Sequence, residues 1–291
     1  MLLAAFCFSS MGASAKLLKG SFTAGQLVFF RNAVGLIFLG AGLIIKPPVN
    51  SGGKIGWLIF RGFMGTVALY TLLYCVLHLH LGTAMTYNLT SALFIALFSF
   101  LFFGEFHGSL VLAALLIGFT GMVLVYKPSM HLPWYYHVAG LISGITSAIA
   151  YMTVGRLSRF YEPRVIVASF IITGFALPLI ALLIHYTTGI PADGIFIISW
   201  QWPRGMQWVW MLTLGLAALF GQYFVTMAYG TEKPAVVSAV SYANIIFSVT
   251  YGYFLGDGFP DPVSLTGIIL IIVSGIMISL YKSNPRSMAK S

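Results

Sequence analysis

Ten stretches of about 20 predominantly apolar residues, the length that crosses a bilayer core as a helix, follow one another along this chain. Charges, glycines and prolines end them near 1–18, 23–45, 55–77, 82–103, 109–126, 136–157, 164–186, 206–229, 235–255 and 263–281. Such a pattern leaves few folds open. In lipid each stretch must satisfy its own backbone hydrogen bonds, so each is expected to be a helix. The links are short, His78 to Leu81 and Gly230 to Pro234 among them, with no room for an extramembrane domain. The longer link, Thr187 to Arg204, reads as an irregular interfacial loop, with Trp200, Trp202, Trp208 and Trp210 in an aromatic belt.

Hydrophobic residues make up 59% of the chain and charged residues 7%, against roughly a quarter charged in a soluble domain. Lipid must therefore be the outer solvent. The net charge of +9 comes from basic residues scattered singly, which argues against a nucleic-acid partner and for topology signals. Lys46, Lys54, Arg61, Arg156, Arg159, Arg164, Lys233, Lys282, Arg286 and Lys290 fall on one side of the membrane. Lys16, Lys19, Lys127 and Arg204 fall on the other, so both termini are expected to be cytoplasmic. Ala13-Ser14-Ala15 resembles a signal-peptidase site, but no basic region precedes it, and the segment is read as the first span. Cys7 and Cys75 lie in apolar segments without metal-ligand spacing and read as core thiols.

The two halves of the chain match. Phe102-Phe103-Gly104-Glu105 after the fourth span parallels Phe254-Leu255-Gly256-Asp257 after the ninth. Each is followed by a glycine-containing helix, with Gly118 and Gly121 or Gly267 and Gly275, that ends in Tyr126-Lys127 or Tyr281-Lys282. Ala15-Lys16-Leu17 likewise parallels Gly155-Arg156-Leu157. Five helices per half is an odd number, so the second half enters from the opposite face. The expected fold is all-α integral membrane, about ten transmembrane helices as two inverted five-helix repeats, 1–130 and 131–291. That architecture puts a site near the midplane between the halves.

Phe29-Phe30-Arg31-Asn32, Arg61-Gly62 and Gly104-Glu105 with the glycine-containing helix after it carry a resemblance. The chain resembles the drug/metabolite transporter superfamily, EamA type, across nearly its whole length in two copies. The second copy departs from the pattern in having Asp257 for Glu and no counterpart of Arg31. The resemblance implies a ten-helix carrier with a central cavity, in a family that includes exporters of amino acids and other metabolites. The expected setting is the cytoplasmic (inner) membrane of a bacterium, as a monomer or weak homodimer, with a small-molecule solute and the bilayer as partners and no cofactor.

Buried ionisable groups in membrane are functional candidates, and Arg31, deep in the second span, leads them. Its planar donors suit a carboxylate or phosphate. Lys16, near a helix end, is expected to reach the headgroups. Polar residues at helical spacing form stripes: Thr66, Tyr70 and Tyr74; Thr83, Tyr87 and Thr90; Ser143, Ser147 and Tyr151; Gln222, Thr226 and Tyr229; Ser241, Asn244 and Ser248. Asn88 and Tyr242 sit beside them. Any single Ser or Thr here is ordinary interhelical glue. Arg31, Tyr74, Tyr87, Asn88, Tyr151, Gln222, Tyr242 and Asn244 are the expected substrate-binding set.

The carboxylates Glu105, Glu162, Asp193, Glu232, Asp257 and Asp261 all fall at span ends or in loops, so none is placed to relay protons at the midplane. Glu105 and Asp257 are expected to cap the helices that follow them, or to close gates. The histidines also lie at span ends, and His78 and His80 do not share a helix face, which gives no metal site. A membrane enzyme would need a nucleophile, an acid/base pair or a metal set in reach of one another, and no Asp, Glu or His is placed in a span interior. The pattern favours a carrier, an exporter or exchanger of an amino acid or related zwitterion or anion.

Overall fold

A computed structural model describes residues 1–49, 52–103, 108–125, 133–188, 200–231, 237 and 240–280, and every regular element among them is helical. The helices are α1 (Leu2–Leu17), α2 (Ala24–Ile45), α3 (Ile55–His78), α4 (Leu81–Leu89), α5 (Ser91–Phe103), α6 (Gly108–Val125), α7 (Trp134–Leu157), α8 (Pro163–Thr188), α9 (Gln207–Thr231), α10 (Ala243–Phe254) and α11 (Pro262–Leu280). Five of them, α2, α3, α7, α8 and α9, are long and apolar enough to cross a membrane by themselves. Glu105, Asp193 and Glu232 lie outside the described residues.

The surface is apolar where a soluble protein's would be charged. Ile37, Ile44, Leu183 and Phe254 stand more than half exposed, while Ser9, Thr66, Ser143, Gln222 and Asn244 are buried. This is the distribution lipid imposes: apolar groups outside, polar groups turned towards partners within.

The fourth span is two helices, because Thr90 interrupts it. Its hydroxyl donates to the Tyr87 carbonyl at 2.6 Å, and its N–H is shared between the carbonyls of Thr86 and Tyr87. Back-bonding of this kind bends a helix. A turn at Tyr242 interrupts the ninth span as well. Tyr242 precedes Gly256 by the same fourteen residues that separate Thr90 from Gly104.

Packing runs between the halves more than within them. α3 lies along α7, α1 along α9 and α10, α2 along α8, and α6 along α11. Glycine makes the last of these possible. A Cβ on Gly121 would fall 2.6 Å from the Gly267 carbonyl oxygen, so the two backbones touch where any larger residue would part them. Ser274 of α11 donates to the Ala114 carbonyl across the same seam.

Candidate functional site

A cavity of about 50 Å³ lies where α1, α2, α3, α4, α7, α8, α9 and α10 converge. Of the residues singled out from sequence, Arg31, Asn88, Tyr151, Gln222 and Asn244 line it. They are joined by Ser147 from one of the polar stripes and by Arg61, which the sequence had assigned to the cytoplasmic surface. That assignment is corrected here: Arg61 is 1% exposed, and Arg31 4%.

The two arginines reach the cavity from opposite ends of the bundle. Arg31 is the eighth residue of α2 and Arg61 the seventh of α3, and these consecutive helices run antiparallel. Their guanidinium carbons each lie 4.9 Å from the centroid of the Phe170 ring. Small residues make this convergence possible. A Cβ on Gly62 would sit 2.7 Å from the Ser169 carbonyl oxygen, and one on Gly65 2.8 Å from the Phe170 ring, so α8 closes on α3 and brings that ring within reach of both cations.

Arg31 donates to the Asn32 side-chain oxygen at 2.9 Å, and the Asn32 amide donates to the Val28 carbonyl at 2.8 Å. The Phe-Phe-Arg-Asn motif thus builds its own bracket for the guanidinium, and Gly174 of α8 leaves the space that the Asn32 amide occupies. Arg31 Nε and Arg61 Nε and Nη1 remain buried without a hydrogen-bond partner among the described residues. The described carboxylates are Glu162, Asp257 and Asp261, and none lines the cavity. Two cations therefore stand unneutralised in an apolar bundle, which is costly unless a ligand supplies the charge.

Neutral polar groups complete the wall. Asn88 donates to Ser147 at 2.8 Å, and Ser9 and Ser248 donate to the Asn244 side-chain oxygen at 2.7 and 2.8 Å. Tyr151 stacks on Tyr229 with centroids 4.9 Å apart. The other three expected site residues are placed elsewhere. Tyr87 bonds His137 at 2.5 Å and packs on Gly140. Tyr74 joins His78 and Tyr136 in an aromatic group at the end of α3. Tyr242 packs on Gly275, its hydroxyl without a partner among the described residues.

Each end of the bundle carries a polar tie. At one, Lys16 pairs with Asp257 at 2.8 Å and donates to the Leu79 carbonyl, while Asp257 accepts the Leu81 N–H at 2.7 Å. Lys16 was expected to reach the headgroups and is instead tied to Asp257. Asp257 was expected to cap the helix after it or to close a gate, and it does not cap that helix. Gly256, at φ +85°, ends α10 in a conformation open to glycine and swings Asp257 back to the start of α4. Asp261 caps α11 instead, accepting from the Val263 and Ser264 N–H groups. At the other end Glu162 accepts the Val49 N–H at 2.9 Å and pairs with Arg164 at 2.6 Å, and Arg164 donates to the Lys46 carbonyl. The α2–α3 and α7–α8 connections are joined there.

Residues 1–127 match the EamA-like transporter family. An uncharacterized transporter of Helicobacter pylori is 29% identical, over 96% of this chain and 93% of that protein. The pseudopaline exporter CntI of Pseudomonas aeruginosa is also 29% identical, over 96% and 94%. The chain is a membrane transporter whose first 127 residues fit the EamA-like family. Solute carrier family 35 member G1 of the mouse is a more distant relative of this transporter, 22% identical over 94% of the chain and 75% of that protein. A solved crystal structure superposes on it with a TM-score of 0.69 at 20% identity, covering 96% of each chain, which shows the shared fold. These names point to a membrane transporter and away from an enzyme. In this transporter Arg61 and Gly65 line the cavity, and the motif glycine Gly62 lets α8 close on α3 beside them. Sequence reasoning missed Arg61 because a basic residue seven positions into a helix resembles a surface topology signal; the signal that it was buried lay in Gly62 and Gly65, which admit a neighbouring helix.

Proposed function

We propose that this transporter is a secondary carrier, an exporter or exchanger, of a small polar metabolite such as an amino acid or related zwitterion or anion. It works by alternating access at the central cavity, in the inner membrane of a bacterium, with both termini cytoplasmic and as a monomer or weak homodimer. The two halves, 1–130 and 131–291, act as inverted five-helix repeats. Support for the repeat lies in the packing: exchanging each helix for its sequence counterpart turns the α3–α7 contact into α9–α1, and α2–α9 into α8–α3, and all four exist. The breaks at Thr90 and Tyr242 fall at equivalent positions, as expected of discontinuous helices beside a transport site.

One observation carries the reading: Arg31, buried in the cavity wall, has no carboxylate beside it and a donor left unused. At about 50 Å³ the cavity holds a few waters and no metabolite, so loading requires the helices around it to part. Asp257 closes one end by tying α4 and the turn after α10 to α1. With no described carboxylate in the cavity, coupling runs by exchange or down the solute gradient, not by a carboxylate proton relay. The test is counterflow into proteoliposomes with labelled amino acids, organic carboxylates and phosphate monoesters, nucleosides and organic cations, with and without a pH gradient. Saturable counterflow of one class is expected. No flux of any compound through folded protein would overturn the proposal.

A further inference from the structure

Arg31 alone asks for one negative charge, but it does not stand alone. Both guanidinium carbons lie 4.9 Å from one ring centroid, so they are no farther apart than twice that distance, near enough for one small molecule to touch both. Each is nearly inaccessible to solvent and each keeps a buried donor without a partner among the described residues. On Arg61 these are Nε and Nη1, two donors on different edges of the guanidinium, each free to meet an oxygen of a carboxylate or phosphate.

We infer that Arg31 and Arg61 form a two-cation clamp and that the transported solute carries two negative charges, as a dicarboxylate or a phosphate-monoester dianion. The inference rests on the carrier reading above and narrows its substrate class. A charge count decides it. The face of Phe170 compensates each cation only weakly, and the neighbouring wall from Asn88, Tyr151, Gln222 and Asn244 offers neutral groups. A monoanion would neutralise one guanidinium and leave the other bare in an apolar bundle. A zwitterion with one carboxylate would add an ammonium to a site whose described wall holds no acid. A dianion leaves the loaded cavity neutral.

Neutrality also sets the transport mode. The loaded carrier reorients without moving net charge, whereas the empty one must carry two bare positive charges through the closed state. Exchange is therefore fast and net flux slow, and exchange of like dianions is insensitive to membrane potential.

The experiment uses the full chain in proteoliposomes, with labelled succinate and glycerol 3-phosphate as the dianions and lactate and alanine as the singly charged and zwitterionic comparators. Counterflow of at least one dianion is expected to exceed that of lactate and alanine by about tenfold or more, and which dianion wins tells carboxylate from phosphate. The same dianion should raise the melting temperature of purified protein in detergent. Arg61→Gln should lower dianion counterflow relative to lactate by about tenfold, and Arg61→Lys should lie between. Lactate or alanine exchanging as fast as both dianions would overturn the clamp and leave the carrier standing, as would unchanged selectivity in a folded Arg61→Gln. No exchange of any of the four compounds by folded protein would count against both. If Arg61→Gln does not fold, the wild-type panel decides alone.

Discussion

Two places in this bundle bury positive charge, and they treat it in opposite ways. At the end of α1, Lys16 is 10% exposed and faces Asp257, itself 13% exposed, with the Leu79 carbonyl and the Leu81 N–H completing the set. In the cavity, Arg31 and Arg61 are less exposed still, yet what they touch is an aromatic ring and a single amide. A fold that needed all three cations for stability would have supplied all three with anions, since an unpaired buried charge costs several kcal/mol. The contrast separates a charge the structure uses to hold itself from charges kept available for a ligand.

The largest effect expected is on transport. Arg31→Leu should reduce counterflow about 100-fold, the scale of losing one partner of a buried charge pair. Circular dichroism and gel filtration should show folded protein. Full counterflow in that variant would place Arg31 among the structural charges and end the contrast.

Next comes stability, where the two places should respond with opposite signs. Asp257→Asn strands the Lys16 charge and leaves one oxygen where two serve Lys16 and the Leu81 N–H, so it should cost about 2 kcal/mol. The double variant Lys16→Met with Asp257→Asn should regain much of that loss, because the stranded charge is gone. Arg31→Leu and Arg61→Leu should leave the empty protein as stable or make it more so, since each removes an unneutralised charge. Melting curves of the variants without substrate decide it. A drop for the arginine variants as large as that for Asp257→Asn would erase the distinction.

A smaller effect sharpens the boundary of the site. Tyr242 was expected to line the cavity and instead packs on Gly275 with its hydroxyl unpartnered among the described residues. Tyr242→Phe should be neutral or raise stability by about 1 kcal/mol, since a buried hydroxyl without a hydrogen bond costs that much, and it should leave counterflow unchanged. Loss of transport in a folded Tyr242→Phe would extend the site to that hydroxyl.

The fate of the tyrosines shows how far the sequence carries. Helical spacing places Tyr74, Tyr87 and Tyr151 on inward faces, and all three face neighbouring helices. Spacing cannot say whether an inward face meets a cavity or another side chain. Gly140 and Gly275 decided that for Tyr87 and Tyr242, by letting a ring into the space where a Cβ would be. Arg31 was legible because nothing but burial explains a charge so deep in an apolar run. Arg61 was not, since its depth depends on α8 lying across the start of α3, a long-range fact. The Gly256-Asp257 motif was legible as a repeat signal, but its partner was not: Asp257 reaches back to α1 and α4, about 180 to 240 residues earlier in the chain, and local capping rules look only forward.

The last prediction concerns the tie at the opposite end, and its effect should be the smallest. The Val49 N–H donated to Glu162 and the adjacent Arg164 guanidinium hold the Glu162 carboxyl below its usual range. A carboxyl depressed on folding adds stability that is fully present above its unfolded value and is lost as pH falls through the lower, folded one. The group is open to water, so screening keeps the contribution small. Near pH 7, Glu162→Gln should lower the melting temperature by about 1 °C, and the difference from the unsubstituted protein should vanish once pH falls below the carboxylate range. A deficit that persisted in acid would mean that the shape of the side chain, and not its charge, joins the α2–α3 and α7–α8 connections. The charge contrast between Lys16 and the cavity arginines would then have no counterpart at this end of the bundle.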